Sequence, residues 1–136
     1  KIETFWKEFK VSIDYVMRFV AGKEGTSLQY VGREMIDFKR VDILEVRDEE
    51  RTRINLYVER EQGTLLKKTV RRLSEPTIFE EVYSNYHLIQ GVFTPLLIHR
   101  YTNGIKTMEI RFDEYSYNNG ISDKAFTPMI MKYKKD

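Results

Sequence analysis

From Gly25 onwards the chain consists of short runs in which apolar and polar residues alternate, and turns of a few residues separate most of these runs. A connection of that length cannot hold a crossover helix, so neighbouring runs are expected to pair as antiparallel strands. The sequence therefore predicts an antiparallel meander of about seven strands. These predicted strands cover residues 28–36, 41–46, 53–60, 65–73, 79–86, 96–102 and 105–112.

The turn that the sequence defines most sharply is Asn103-Gly104, between the last two predicted strands. Asn-Gly between two strand-like runs indicates a type I′ hairpin, because both central residues of that turn need a positive φ. Pro95, directly before residues 96–102, is expected at the start of the strand that leads into this hairpin, where its missing N–H costs least.

Two of the predicted strands have one apolar face and one polar face. This pattern is typical of an antiparallel sheet that buries only one side. The apolar side must then be covered by a helix, a partner or a ligand. The apolar positions are Ile54, Leu56 and Val58 in one strand and Met108, Ile110 and Phe112 in the other.

Residues 3–21 carry the only convincing helical pattern. Apolar residues recur at intervals of three and four, and the stripe includes Phe5, Trp6 and Phe9. Gly22 follows the last periodic residue and suits a C-cap. We therefore expect an α+β fold in which an N-terminal helix packs on a curved antiparallel sheet of about seven strands.

The composition is that of an ordinary globular protein. With 136 residues, of which 41% are hydrophobic and 32% charged, the chain is expected to form a single domain over residues 1–136, or to be a piece of a longer protein. The formal net charge of +2 gives no broad electrostatic field, so nucleic acid is not an expected partner. No apolar run approaches the roughly 18–20 residues of a membrane span.

The residues that carry most enzyme chemistry do not form a recognisable site in this sequence. His87 and His99 lack metal-ligand spacing, and the chain has no cysteine. Glu80 and Glu81 are adjacent on a predicted strand, so their side chains should lie on opposite faces rather than converge. No nucleophile elbow, phosphate loop or dinucleotide fingerprint is present. We therefore expect a non-enzymatic protein without a metal or cofactor.

The densest basic patch consists of Lys67, Lys68, Arg71 and Arg72. On a strand, Lys67 and Arg71 would share one face while Lys68 and Arg72 share the other. One interpretation is a solvated or edge strand that charge protects from aggregation. The other is contact with anionic lipid headgroups or with an acidic partner surface.

Several motifs together resemble the C-terminal portion of the LolA/LolB-like superfamily of outer-membrane lipoprotein-sorting proteins. These are the Gly91-Val92-Phe93-Thr94-Pro95 start of a strand, the hairpin that follows, and an Asn-x-x-Ile-x-Asp-x-x-Phe-type segment at 118–126. The runs 30–34 and 41–46 also look like that family's central strands. The resemblance covers about residues 28–128. Where the family commonly has Asp-Gly after the first of these runs, this chain has Asp37-Phe38.

The resemblance implies an incomplete, strongly curved antiparallel β-barrel whose open side is covered by helices. It implies a non-catalytic, cell-envelope or periplasmic protein that binds acyl chains of lipid or lipoprotein, with an envelope protein as a further candidate partner. On the same scaffold, a protein-interaction or sensor domain, as in related anti-sigma regulators, is the alternative. The arginine that tethers the helical lid in lipoprotein carriers has no counterpart that can be matched here. By their spacing alone such residues more often form a plain core, and it is the resemblance that favours an acyl-chain cavity. The residues expected to line that cavity are Trp6, Phe9, Met17, Ile54, Leu56, Val58, Met108, Ile110 and Phe112.

Overall fold

The computed structural model describes residues 25–116, which form one antiparallel sheet of seven strands. Each strand pairs with the strand that follows it in sequence, so the order across the sheet is β1 to β7. This confirms the predicted meander. The strands are β1 (Ser27–Ile36), β2 (Lys39–Arg47), β3 (Arg53–Glu59), β4 (Leu65–Arg71), β5 (Ile78–Ile89), β6 (Val92–Thr102) and β7 (Ile105–Arg111).

The sheet is curved and does not close, and β1 and β7 form its two edges within residues 25–116. An open, curved sheet agrees with the incomplete barrel that the resemblance predicted. The helix predicted at 3–21 lies outside the described residues, as does the segment at 118–126.

Within residues 25–116, three hairpins turn through two residues with positive φ. Asn103-Gly104 has φ values of 50° and 80°, as the type I′ prediction requires. Gln90-Gly91 repeats this geometry at 49° and 80°, and Asp37-Phe38 does so at 47° and 64°. Phe38 therefore occupies a position that glycine fills in the other two turns, and it is 99% exposed.

The expected position of Pro95 at the start of its strand is wrong. Strand β5 continues to Ile89 and β6 begins at Val92, so Pro95 lies inside β6 opposite Tyr86. Pairing of β6 with β7 extends only as far as Leu97. Proline is tolerated here because β6 has a paired neighbour on one side only at this point.

The hydrophobic core lies on one face of the sheet, which we term the apolar face. Val46, Ile54, Leu56 and Val70 are buried and contact one another across β2, β3 and β4. The pairs Val46↔Ile54 and Ile54↔Val70 set these side chains on the same side of the pleated sheet. The predicted alternation in β3 is thereby confirmed, with Ile54 and Leu56 in the core and Val58 packed against it.

Candidate functional site

One line of cross-strand partners crosses the whole apolar face. Each residue in the line pairs with the next across neighbouring strands, so all seven side chains lie on the same side of the sheet. The line is apolar in β2 and β3 and charged in β4, β5 and β6. From β1 to β7 it runs Tyr30, Leu44, Leu56, Lys68, Glu81, Arg100 and Met108.

Glu81 is the centre of the charged part of this line. Its Oε1 lies 2.7 Å from Lys68 Nζ, and its Oε2 accepts a hydrogen bond of 3.0 Å from Arg100 Nε. The Tyr83 hydroxyl donates to Oε1 at 3.4 Å. Arg100 also directs Nη1 at the Met108 sulfur, 3.7 Å away. We refer to Lys68, Glu81, Tyr83 and Arg100 as the Glu81 cluster.

Glu81 is ionised at neutral pH. Burial alone would raise the pKa of Glu81, but the charges and hydrogen bonds of Lys68 and Arg100 outweigh burial and hold it below its ordinary value. Burial, with the Glu81 charge as the next cause, raises the pKa of Tyr83 far above its usual range, so its hydroxyl stays a donor. A carboxylate with two cationic partners is therefore fixed on the apolar face.

The structure corrects one interpretation of the basic patch. Strand β4 lies between β3 and β5 and is not an edge, and Lys68 is buried rather than solvated. On the opposite face, Lys67 Nζ lies 4.3 Å from the centre of the Tyr57 ring and 3.5 Å from Glu80. The predicted division of Lys67 and Lys68 between two faces is confirmed, as is that of Glu80 and Glu81.

A second carboxylate on the apolar face also has two cationic neighbours. Asp42 accepts a hydrogen bond of 2.9 Å from the Tyr30 hydroxyl. Its two oxygens lie 3.9 Å from Arg33 Nε and 3.5 Å from Arg60 Nε. These arginines are more exposed than Lys68, so water screens this group more strongly.

The predicted cavity residues within the described part of the chain share the apolar face but differ in burial. Ile54 and Leu56 are buried in the core. Ile110 is only half-buried, and Met108 is 48% exposed. Phe112 is half-buried just beyond β7, where its ring meets Tyr115 edge to face at 5.5 Å. Trp6, Phe9 and Met17 lie outside the described residues.

The apolar face therefore has two parts. Over β2, β3 and β4 its side chains pack on one another. Over β6 and β7 the directly paired Ile98 and Ile110 are half-buried, and Met108 is largely accessible beside them. The Glu81 cluster separates the packed part from this more open part.

Sequence reasoning did not find the Glu81 cluster. The available signal was a double lysine at Lys67-Lys68 in one predicted strand and a double glutamate at Glu80-Glu81 in the next. Only the pairing register shows that Lys68 and Glu81 stand directly opposite each other. The contact between His99 and Glu109, 3.1 Å apart across β6 and β7, was missed for the same reason.

Residues 25–116 contain no group of three or more histidine, aspartate or glutamate side chains placed to hold a metal ion. Over the same residues, no helix is long and apolar enough to cross a lipid bilayer.

No protein-family model and no curated protein matches this sequence. Solved structures do share its fold. One is a domain described as an outer membrane lipoprotein-sorting protein domain from Vibrio parahaemolyticus, with a TM-score of 0.66 and 12% identity. A DUF1329 family protein from Desulfovibrio piger gives a TM-score of 0.67 at 17% identity. A LolA superfamily protein from Nitrosomonas europaea gives 0.52 at 18% identity.

These similarities cover 80%, 79% and 79% of this chain, and 49%, 47% and 51% of the respective structures. The chain thus spans about half the length of the solved structures that it matches. At 12–18% identity the likeness establishes the fold, and the predicted resemblance is confirmed at that level. The described strands have the fold of LolA-superfamily and lipoprotein-sorting domains.

Proposed function

We propose that this protein is a non-catalytic, cell-envelope protein that binds acyl chains of lipid or lipoprotein on its apolar face. The observation that carries the proposal is an accessible apolar surface over β6 and β7 in a LolA-like sheet. Met108 and the half-buried pair Ile98 and Ile110 form this surface. The lipoprotein-sorting description of one structural neighbour and the LolA-superfamily membership of another support the same class of ligand and a periplasmic location.

The physical basis of binding is desolvation. Each methylene group that leaves water for an apolar surface contributes about 0.8 kcal/mol. The backbone of the sheet stays hydrogen-bonded within its own ladder, so an apolar chain can lie against it without breaking polar contacts. In this proposal the predicted helix at 3–21, with Trp6, Phe9 and Met17, would cover the bound chain.

Filling the open part of the apolar face tests the proposal. Ile110→Trp adds bulk beside Ile98, whereas Lys106→Trp adds the same ring to β7 on the opposite face, since Lys106 pairs with Tyr101. The purified protein is titrated with dodecanoate and examined by native mass spectrometry. We expect the wild type and Lys106→Trp to bind dodecanoate. The affinity of Ile110→Trp for dodecanoate should be at least tenfold lower. Absence of uptake by the wild type contradicts the proposal.

The alternative function, a protein-interaction domain, has one observation in its favour. Strand β1 is ten residues long and forms an edge of the described sheet, and Leu28, Val31 and Met35 are each more than half exposed. Such an edge can receive a strand from a partner. Val31→Lys would weaken binding to a partner of that kind while leaving dodecanoate uptake unchanged.

A further inference from the structure

The Glu81 cluster contains more positive than negative charge. Lys68 and Arg100 face the single carboxylate of Glu81, whose low pKa keeps it ionised. Lys68 occupies Oε1 and Arg100 occupies Oε2, so both oxygens of Glu81 are engaged. Among these three side chains the positive charges outnumber the negative charges by one.

Arg100 is the accessible carrier of that excess charge. Its side chain is 45% exposed, against 5% for Lys68. Its Nε donates to Glu81, while Nη1 is directed at the Met108 sulfur, 3.7 Å away. Sulfur is a weak acceptor. Among the described residues no oxygen atom accepts a hydrogen bond from Nη1 or Nη2 of Arg100.

The chemistry of this position favours an anion. A guanidinium group presents rigid, coplanar N–H donors that match the oxygen atoms of a carboxylate or a phosphate. Glu81 holds the group by its Nε and restricts its orientation. The negative charge of Glu81 would repel an approaching anion, but the buried Lys68 ammonium at 2.7 Å offsets that repulsion.

The surroundings favour an anion that carries an apolar chain. Arg100 pairs with Met108 across β6 and β7, and two residues further along the same strands Ile98 pairs with Ile110. An apolar chain that starts at the Arg100 guanidinium can therefore continue over Met108 and the isoleucine pair. A small inorganic anion would gain nothing from these neighbours.

We infer that Arg100 forms a headgroup site for an acyl lipid that ends in a carboxylate or a phosphate. The inference rests on the proposed function, because it identifies which acyl ligands the apolar face prefers. It assigns the cluster a part in selecting the ligand, in addition to its contribution to the fold.

Three dodecyl compounds with matched chains and different headgroups test the inference. Dodecanoate, dodecyl phosphate and dodecanol are titrated into the wild type, Arg100→Gln and Arg111→Gln at about pH 8. Arg111 is the matched control, because it also pairs with a glutamate, Glu109, but on the opposite face. Arg100→Lys retains the charge without the planar fork. Circular dichroism checks that each variant keeps its fold.

We expect the wild type and Arg111→Gln to bind the anionic compounds roughly tenfold more tightly than dodecanol, the effect of one charge-assisted hydrogen bond. Arg100→Gln should bind all three like dodecanol, and Arg100→Lys should fall between. Dodecanoate and dodecyl phosphate, compared with each other, show which anionic headgroup fits better. Equal binding of all three by the wild type, or a preference that survives in Arg100→Gln, overturns the inference while the proposed function stands. If none of the three binds, both fail.

Discussion

At the scale of single residues, Lys68 and Glu81 form an ion pair across β4 and β5. Substituting each residue in turn measures what it contributes to the free energy of unfolding. Glu81→Gln would remove the carboxylate that lies 2.7 Å from the ammonium group of the almost fully buried Lys68. Removing one member of a buried pair is strongly destabilising, and we expect a loss of about 3 kcal/mol in the free energy of unfolding.

Lys68→Met is the companion variant, and we expect it to lower the free energy of unfolding by roughly 1 kcal/mol or less. Methionine fills a similar volume with apolar atoms, and Glu81 retains Arg100 as its partner. Urea denaturation of both variants checks this asymmetry. Equal losses would show that Arg100 does not hold Glu81 as the structure indicates.

The lowered pKa of Glu81 also predicts how stability depends on pH. A carboxyl group with a lower pKa in the folded state stabilises the protein fully above its ordinary pKa of 4.5 and loses that contribution as pH falls through the folded-state value. The free energy of unfolding of the wild type should therefore decrease below about pH 4.5, and less steeply in Glu81→Gln. The remaining slope includes Glu109, whose pKa is lowered chiefly by its hydrogen bond to His99. If the free energy of unfolding falls equally steeply with decreasing pH in the wild type and in Glu81→Gln, Glu81 does not contribute to this pH dependence.

At the scale of elements, one of the three two-residue hairpins within residues 25–116 lacks glycine at its second turn position. Phe38 adopts a φ of 64° where Gly91 and Gly104 adopt 80°. For a residue with a Cβ, the left-handed conformation is less favourable by roughly 1–2 kcal/mol because of steric contacts with the backbone. At 99% exposure, Phe38 gains almost no burial within the chain to offset that cost.

Phe38→Gly should therefore stabilise the protein by about 1 kcal/mol, after allowance for the greater freedom of glycine in the unfolded chain. Gly104→Ala, which introduces a Cβ at the equivalent position of another hairpin, should destabilise it by a similar amount. Thermal denaturation measures both. A loss of stability in Phe38→Gly would show that this side chain makes a favourable contact that outweighs the backbone strain.

The strands themselves were largely predictable, because alternation and short turns are local signals. The Asn103-Gly104 hairpin was predicted by its residues alone. The Gln90-Gly91 hairpin was missed, because β5 and β6 near this turn carry exposed apolar residues such as Leu88 and Phe93 on a segment without clear alternation. This is why the predicted strands ended early and Pro95 was misplaced.

At the scale of the whole molecule, the sheet combines a packed apolar part, a charged line and an accessible apolar part on one face. Alternation predicted which residues face the same way, as with Ile54, Leu56 and Ile110. It could not predict the Glu81 cluster, because contacts between strands depend on register, and a shift of one residue would place Lys68 and Glu81 on different faces. Whether the predicted cavity residues bind a ligand remains a prediction.

The proposed site for an acyl chain on the apolar face over β6 and β7 can be observed directly. Its most direct test is methyl NMR of the isoleucine and methionine side chains during titration with dodecanoate. We predict that the methyl signals of Ile98, Met108 and Ile110 shift and show contacts to the dodecanoate chain, while Ile43, which pairs with Tyr57 on the opposite face, does not. Binding without any change at Ile98, Met108 and Ile110 would contradict the account.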